Sequence, residues 1–451
     1  MVATLIALPL SALSSQASES SGRRATESLR RRALWQVSLA EPSHPDSGAL
    51  VRRVEAGSRA ERAGLRAGDR ILSLNATALT DADAFWPAFR AIRGGDSVRA
   101  GVRRVRESGV GGTTELRFVV DSVPHERILG TTVTYGAIRT SRGYRVRTVV
   151  TRPADARSGR LPAILFIPWL SCDVLEKPDP GTDGFAHMIR DVAAGSGMLF
   201  MRVEKPGVGD SEGPDCRFAG LDEELAAYRS ALAALRARAD VDTTRIVLLG
   251  GSIGGALAPI LAAESPRGIV GVVAVGGFTR TWYEHMLEIE RRRLTSSGRS
   301  PAAVNAAMRG LARLYTEYLV DRRTPAEVIA VNPALRNLWD DEPRHQYGRP
   351  AAYYHAVQDL DVEGAWATLA ARGIPSLVVW GEYDWIMGRA EAERAVEIVN
   401  AARPGLATLS ILPKTGHGLM TFASQAAAFA GESPKYDGQP GRVVTHWLRR
   451  R

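Results

Sequence analysis

Five residues constrain this chain more than any others. Gly250-Gly251-Ser252-Ile253-Gly254 stands between a buried-strand pattern, Arg245-Ile246-Val247-Leu248-Leu249, and a helix pattern, Gly255-Ala256-Leu257-Ala258-Pro259-Ile260-Leu261. A strand that feeds a helix with nothing between them must turn sharply, and small residues on either side let the strained backbone pack against its neighbours. The serine at the apex then projects from the C-terminal edge of a sheet. Such an edge is where open α/β sheets carry their functional groups, so Ser252 is the first candidate for a nucleophile.

A serine attacks only when a base takes its proton and a carboxylate orients that base. Both residue types follow downstream at strand ends. Ile374-Pro375-Ser376-Leu377-Val378-Val379-Trp380 reads as a buried strand and runs into Gly381-Glu382-Tyr383-Asp384, and Ala407 to Pro413 reads as another, followed by Lys414-Thr415-Gly416-His417-Gly418. Each residue has an ordinary explanation: Ser252 as a helix cap, Asp384 as a turn former, His417 as a surface histidine. Three such residues in this order, each just past an apolar strand, point together to a Ser252-Asp384-His417 triad.

With these motifs the chain resembles the α/β-hydrolase superfamily from about Glu126 onward. Lys205-Pro206-Gly207-Val208-Gly209-Asp210-Ser211-Glu212-Gly213, after the strand Met198 to Val203, looks like the glycine-rich turn of these enzymes. Within the superfamily the nearest resemblance is to the EstD-like esterase group. The resemblance implies a mostly parallel sheet flanked by helices, with an oxyanion hole formed by the amide of Ile253 and one from the loop after the third strand. That loop is Pro168-Trp169-Leu170-Ser171-Cys172-Asp173; Pro168 has no N–H, which leaves Leu170 or Trp169. Cys172 and Cys216 follow adjacent strands of such a sheet. A disulfide between them and two separate buried thiols are both open readings.

A second unit precedes the hydrolase, at about 34–123. Gly57-Ser58-Arg59-Ala60-Glu61-Arg62-Ala63-Gly64-Leu65 followed by Gly68-Asp69-Arg70-Ile71 resembles a PDZ domain, with Asp81 to Ile92 as its groove helix. The resemblance implies capture of a peptide C-terminus, with Gly48, Ala49 and Leu50 placed at the carboxylate-binding loop.

The first 17 residues are uncharged and mostly apolar and end Ser15-Gln16-Ala17, which reads as a signal peptide; a misassigned start or an unstructured tail fits the same stretch. Export to the periplasm or medium would also suit a disulfide. No later segment has the roughly 20 apolar residues that a membrane span needs. The net charge of +9 is almost all arginine, with only four lysines. The runs Arg23-Arg24, Arg30-Arg31-Arg32 and Arg291-Arg292-Arg293 read as solvated faces, since no nucleic-acid motif accompanies them. The cysteine spacing matches no metal site.

The segment at about 280–350 has helical periodicity and is expected to form a cap over the site, with Trp282, Glu284 and Tyr383 as lining candidates. The whole implies a serine hydrolase without cofactor or metal. A carboxylesterase working through an acyl-enzyme on a small ester comes first. A peptidase of the prolyl-oligopeptidase or aminopeptidase type, and a non-catalytic PDZ-type binding protein, are the alternatives.

Overall fold

The computed structural model describes residues 29–40, 48–104, 112–156, 159–265, 267–339 and 345–451. The expected signal peptide and Arg23-Arg24 lie outside the described residues.

The N-terminal unit is an antiparallel sheet with strands in chain order: β1 (Val37–Ala40), β2 (Ala49–Val54), β3 (Arg70–Leu74), β4 (Ser97–Arg103) and β5 (Thr113–Val119), with Thr77–Ala78 pairing beside β3. Strand β4 reads Ser97-Val98-Arg99-Ala100-Gly101-Val102-Arg103, and its period of two sends Val98, Ala100 and Val102 into the core while the arginines face out. Besides a short helical turn at Arg59–Arg62, a longer helix, α1 (Ala82–Ala91), is capped by the Asp81 side chain on the Ala84 amide. It lays Phe85 and Phe89 against the sheet, and Phe89 stacks on Trp35 at 3.9 Å.

The larger unit is an eight-stranded sheet. Its strands are β6 (Thr131–Arg139), β7 (Arg145–Pro153), β8 (Leu161–Ile167), β9 (Leu199–Val203), β10 (Val241–Gly251), β11 (Ile269–Val275), β12 (Ser376–Gly381) and β13 (Ala407–Leu412), in spatial order β13-β12-β11-β10-β8-β9-β7-β6. From β13 to β9 neighbouring strands are parallel, and the pairs at the β6-β7 end are antiparallel. Strands β8 and β10 are apolar on both faces, as a sheet covered by helices on both sides requires. Helices α2 (Gly184–Gly195), α3 (Leu221–Arg236) and α4 (Ile253–Glu264), with the later helices Val362–Ala371, Arg389–Ala402 and Gln439–Leu448, supply that cover and complete the expected fold class. Because β8 lies between β9 and β10, successive connections leave it in opposite directions, and a crevice opens beyond the strand ends there.

Between β11 and β12 the chain forms α5 (Trp282–Ser296), α6 (Pro301–Tyr315) and a π-turn at Thr316–Val320. Thr281 and Glu284 form a reciprocal capping box at the start of α5, which accounts for Glu284 and removes it from the cavity. The later helices include α7 (Val362–Ala371), α8 (Arg389–Ala402) and α9 (Gln439–Leu448).

Within the two described arginine runs, Arg30 and Arg291 are exposed, but Arg31, Arg32 and Arg292 are half-buried and paired. Arg31 donates to both oxygens of Glu176, each at 2.8 Å, and to Asp210 at 2.7 Å, while the Arg32 amide donates to Asp210 at 2.7 Å. Arg147 completes the ring around Asp210 at 3.0 Å, and Arg93, just past α1, donates to the Gly209 carbonyl at 3.0 Å. Burial alone would raise the Asp210 carboxyl, but these donors and cations hold it below the usual carboxylate range. The glycine-rich turn is thus gripped by the N-terminal unit. In the second run, Arg292 donates to the carbonyls of Trp385 and Ile386, each at 2.8 Å.

Candidate active site

Ser252 sits between β10 and α4 with φ 55° and ψ −125°, a left-handed conformation that costs a non-glycine residue energy. Its neighbours explain why the turn holds. A Cβ on Gly250 would lie 1.9 Å from the Gly254 carbonyl oxygen, and one on Gly254 would lie 2.1 Å from that of Ile167. Strand β8 therefore packs directly on the turn, and the Ser252 amide is anchored to the Val275 carbonyl at 2.8 Å. The serine side chain makes no helix cap. It points instead to His417, whose Nε2 is 3.0 Å from Ser252 Oγ.

His417 follows β13 and its Nδ1 lies 2.8 Å from Asp384 Oδ2. The other carboxylate oxygen, Oδ1, accepts from the amides of Ile386 at 2.9 Å and Met387 at 2.8 Å. A carboxylate only accepts, so the proton of the imidazole belongs on Nδ1 and the Nε2 lone pair faces the serine hydroxyl. Asp384 is 5 % exposed, which shields this hydrogen bond from competition by water. The three residues singled out in the sequence are brought together in a geometry that can pass a proton from Oγ to Nε2.

Ile253, Leu170 and Trp169 line the same cavity as Ser252 and His417. The cavity measures about 390 Å³, and its interior is mostly apolar: Phe185, Trp282, Ile289, Trp385 and Met387 join Trp169 in the wall. Tyr383 lies outside it, its amide bound to the Thr415 carbonyl.

Sequence reasoning missed what supports the Trp169-Leu170 loop. Lys205 Nζ, fully buried, donates to the carbonyls of Leu170 at 2.8 Å and Ser171 at 3.0 Å, and ion-pairs with Glu224 at 3.4 Å. Arg349, just before the helix Ala351–Gln358, also pairs with Glu224 and donates to Cys216 Sγ at 2.7 Å. Burial pushes the Lys205 ammonium down to about 8, although Glu224 works against the shift. Cys172 and Cys216 are joined in a disulfide that ties this loop to the chain after the glycine-rich turn. Lysine before a Pro-Gly turn was the only local signal; its partners lie far away in sequence.

The residues expected at the carboxylate loop of the N-terminal unit lie at the start of a strand. Ala49 and Leu50 belong to β2, and Leu50 is paired on both sides, opposing Ala40 of β1 and Arg70 of β3. Gly48 is packed so that a Cβ would lie 2.7 Å from the Ile71 carbonyl oxygen. The edge of this sheet flanked by Trp35 and α1 is β1, which among the described residues pairs with β2 alone.

A family model described as serine aminopeptidase, S33, matches residues 182–421. The chain belongs to this family of α/β-hydrolases. A PDZ-domain model matches residues 50–104. Solved structures similar to the chain include a hypothetical protein of Pseudomonas aeruginosa, at 15% identity over 73% of this chain and 95% of that one with a TM-score of 0.44. An esterase of Pyrococcus furiosus matches at 12% identity over 71% and 91%, TM-score 0.44. The esterase domain of a Rhodothermus marinus protein matches at 17% over 71% and 98%, TM-score 0.41. No curated protein sequence matches. Among the described residues no group of side chains is arranged to hold a metal ion, and no helix is long and apolar enough to cross a membrane.

Proposed function

We propose that the protein is a serine carboxylesterase. The observation that carries this reading is the hydrogen-bonded chain Ser252-His417-Asp384 opening into an apolar cavity. Ser252 Oγ attacks the ester carbonyl carbon as its proton passes to His417 Nε2, and the negative oxygen of the tetrahedral intermediate is met by the Ile253 amide and one from the Trp169-Leu170 segment. The C–O bond to the alcohol breaks, with the alkoxide taking the proton from His417. Water, deprotonated by the same imidazole, then releases the acid and restores Ser252. Asp384 holds the tautomer and stabilises the imidazolium.

The family's description favours an aminopeptidase as the second reading. Such an enzyme must bind a substrate ammonium, and the carboxylates at the cavity are Asp173 and Asp183. Asp183 is engaged by Lys177 and by the start of α2, and Asp173 accepts from Ser171. That leaves the interior suited to an uncharged acyl group. The disulfide requires an oxidising compartment, so we place the enzyme outside the cytoplasm.

Hydrolysis of p-nitrophenyl butanoate and of amino-acid p-nitroanilides by the wild type and by Ser252→Ala tests both readings. The ester should be turned over, with kcat falling roughly 10⁴-fold or more in the variant. Residual activity within tenfold would remove Ser252 from the mechanism, and cleavage of the anilides alone would make the enzyme a peptidase.

A further inference from the structure

Five of the seventeen described residues that line the cavity are Trp, Phe or Tyr, against 7% of the whole chain. The wall is richer in rings than composition supplies. The cap helix α5 contributes Trp282, His285 and Ile289, all buried, whereas Trp169 and Trp385 are half-buried and Tyr347 is 48 % exposed. A residue that lines the cavity and also meets solvent stands at its mouth, so an entering ligand passes Tyr347.

Tyr347 is held there at a cost in backbone energy. His345 pairs with Pro350 and Gln346 with Arg349, which leaves Tyr347-Gly348 as a two-residue hairpin turn with φ of 48° and 70°. Such a turn takes Asn-Gly most readily, because asparagine and glycine tolerate positive φ and a bulky side chain does not. The glycine suits the turn and the tyrosine strains it. The base of the hairpin does not let that strain relax: Gln346 and Arg349 are buried, the Gln346 carbonyl accepts from the Tyr354 hydroxyl at 2.7 Å, and Arg349 donates to the Ala219 carbonyl at 3.2 Å. Strain kept at a site, with the residue that bears it set at the mouth, points to a ring that the ligand uses.

The rest of the lining says what kind of ligand that is. Trp169 and Phe185 have ring centres 5.3 Å apart, and Phe185 meets the His417 ring edge-on at 6.4 Å, so rings continue from the wall to the catalytic base. No lysine or arginine is among the described residues of the lining, and Asp173 and Asp183 are already engaged. Aromatic faces and edges carry opposite partial charge, and they hold another ring by stacked or edge-to-face contact beyond what buried area provides. An alkyl chain gains the area alone. We propose that the cavity selects esters carrying an uncharged aromatic ring within a few carbons of the ester group, with Tyr347 as the specificity-determining residue at its mouth. This deepens the esterase reading and rests on it for the meaning of the cavity.

The test is equilibrium binding to the Ser252→Ala protein, which needs no turnover. Methyl 3-phenylpropanoate is compared with methyl 3-cyclohexylpropanoate, and 2-phenylethyl acetate with 2-cyclohexylethyl acetate, by calorimetry. Each pair shares one carbon skeleton, and the saturated member is the more hydrophobic, so burial alone favours it. In at least one pair the phenyl ester should bind roughly fivefold more tightly. Adding Tyr347→Asn, which suits the turn, should cut that preference to less than about twofold. Phenyl esters that bind no more tightly than their saturated partners in both pairs overturn the proposal, as does a preference that Tyr347→Asn leaves intact. Should the added substitution prevent folding, the two comparisons in the Ser252→Ala protein alone decide. Wild-type hydrolysis of p-nitrophenyl butanoate is scored separately, so failure of the esterase reading and failure of this one are told apart.

Discussion

The two sides of the cavity are held in different ways. On the side of Ser252, Asp384 and His417, position comes from the backbone: strand ends, glycine packing and amide hydrogen bonds to Asp384. On the side of Trp169 and Leu170, position comes from buried charge and a covalent link: Lys205, Glu224, Arg349 and the Cys172–Cys216 bond. Backbone packing is indifferent to pH and redox state. Charges and disulfides are not, so the two sides should fail under different conditions.

The largest effect breaks the first side. Gly254→Ala places a Cβ 2.1 Å from the Ile167 carbonyl oxygen and 2.7 Å from that of Pro168. Neither backbone can yield without moving β8, and a loss on the order of 5 kcal/mol is expected, read as loss of soluble protein or of the unfolding transition. Stability within 1 kcal/mol of wild type by denaturant titration would mean that the turn is softer than its packing implies.

Reduction of the disulfide comes next and touches only the second side. The bridged cysteines are 44 residues apart, for which the chain-entropy model gives about 4 kcal/mol. Urea unfolding with and without dithiothreitol measures it, and unchanged midpoints would assign the stability of the loop to the Lys205 network alone.

Lys205→Met should lower kcat by roughly ten- to a hundredfold through a displaced Trp169-Leu170 loop. The wild-type pH profile sharpens this. The folded-state value of Lys205, about 8, lies below its ordinary value of 10.5. The group is therefore protonated in both folded and unfolded chains below about pH 8, and between pH 8 and 10.5 the unfolded chain holds the extra proton. Raising pH across that window should favour folding through this group while removing a donor from Leu170, so kcat should fall as stability rises. A variant with unchanged kcat, or a wild type flat to pH 10, would detach Lys205 from catalysis.

The same contrast decides what the sequence revealed. Ser252, Asp384 and His417 each end an apolar strand, so local patterns located them, and the parallel sheet order then brought them together. Lys205, Glu224 and Arg349 come from three separate segments, and no period or spacing connects them. His285 lies within an ordinary amphipathic helix, where nothing marks it apart from its neighbours. Arg31 and Arg292 were hidden by their own runs, because consecutive arginines read as solvated until their partners are known. In the N-terminal unit the glycine-rich consensus located the domain, yet the edge strand was decided by the short stretch Val37–Ala40 pairing over Ala49–Val54, which consensus residues do not report.

Asp210 is shared between the two units, held by Arg31 and Arg32 from one and by Arg147 from the other. The domains are consequently not interchangeable modules. A chimera that keeps the hydrolase but takes its front end from another protein deprives Asp210 and Glu176 of Arg31, the cation they share, unless it also inherits the stretch from Leu29 to Arg32. The seam between the units, not the linker, is where any recombination of this architecture must be cut.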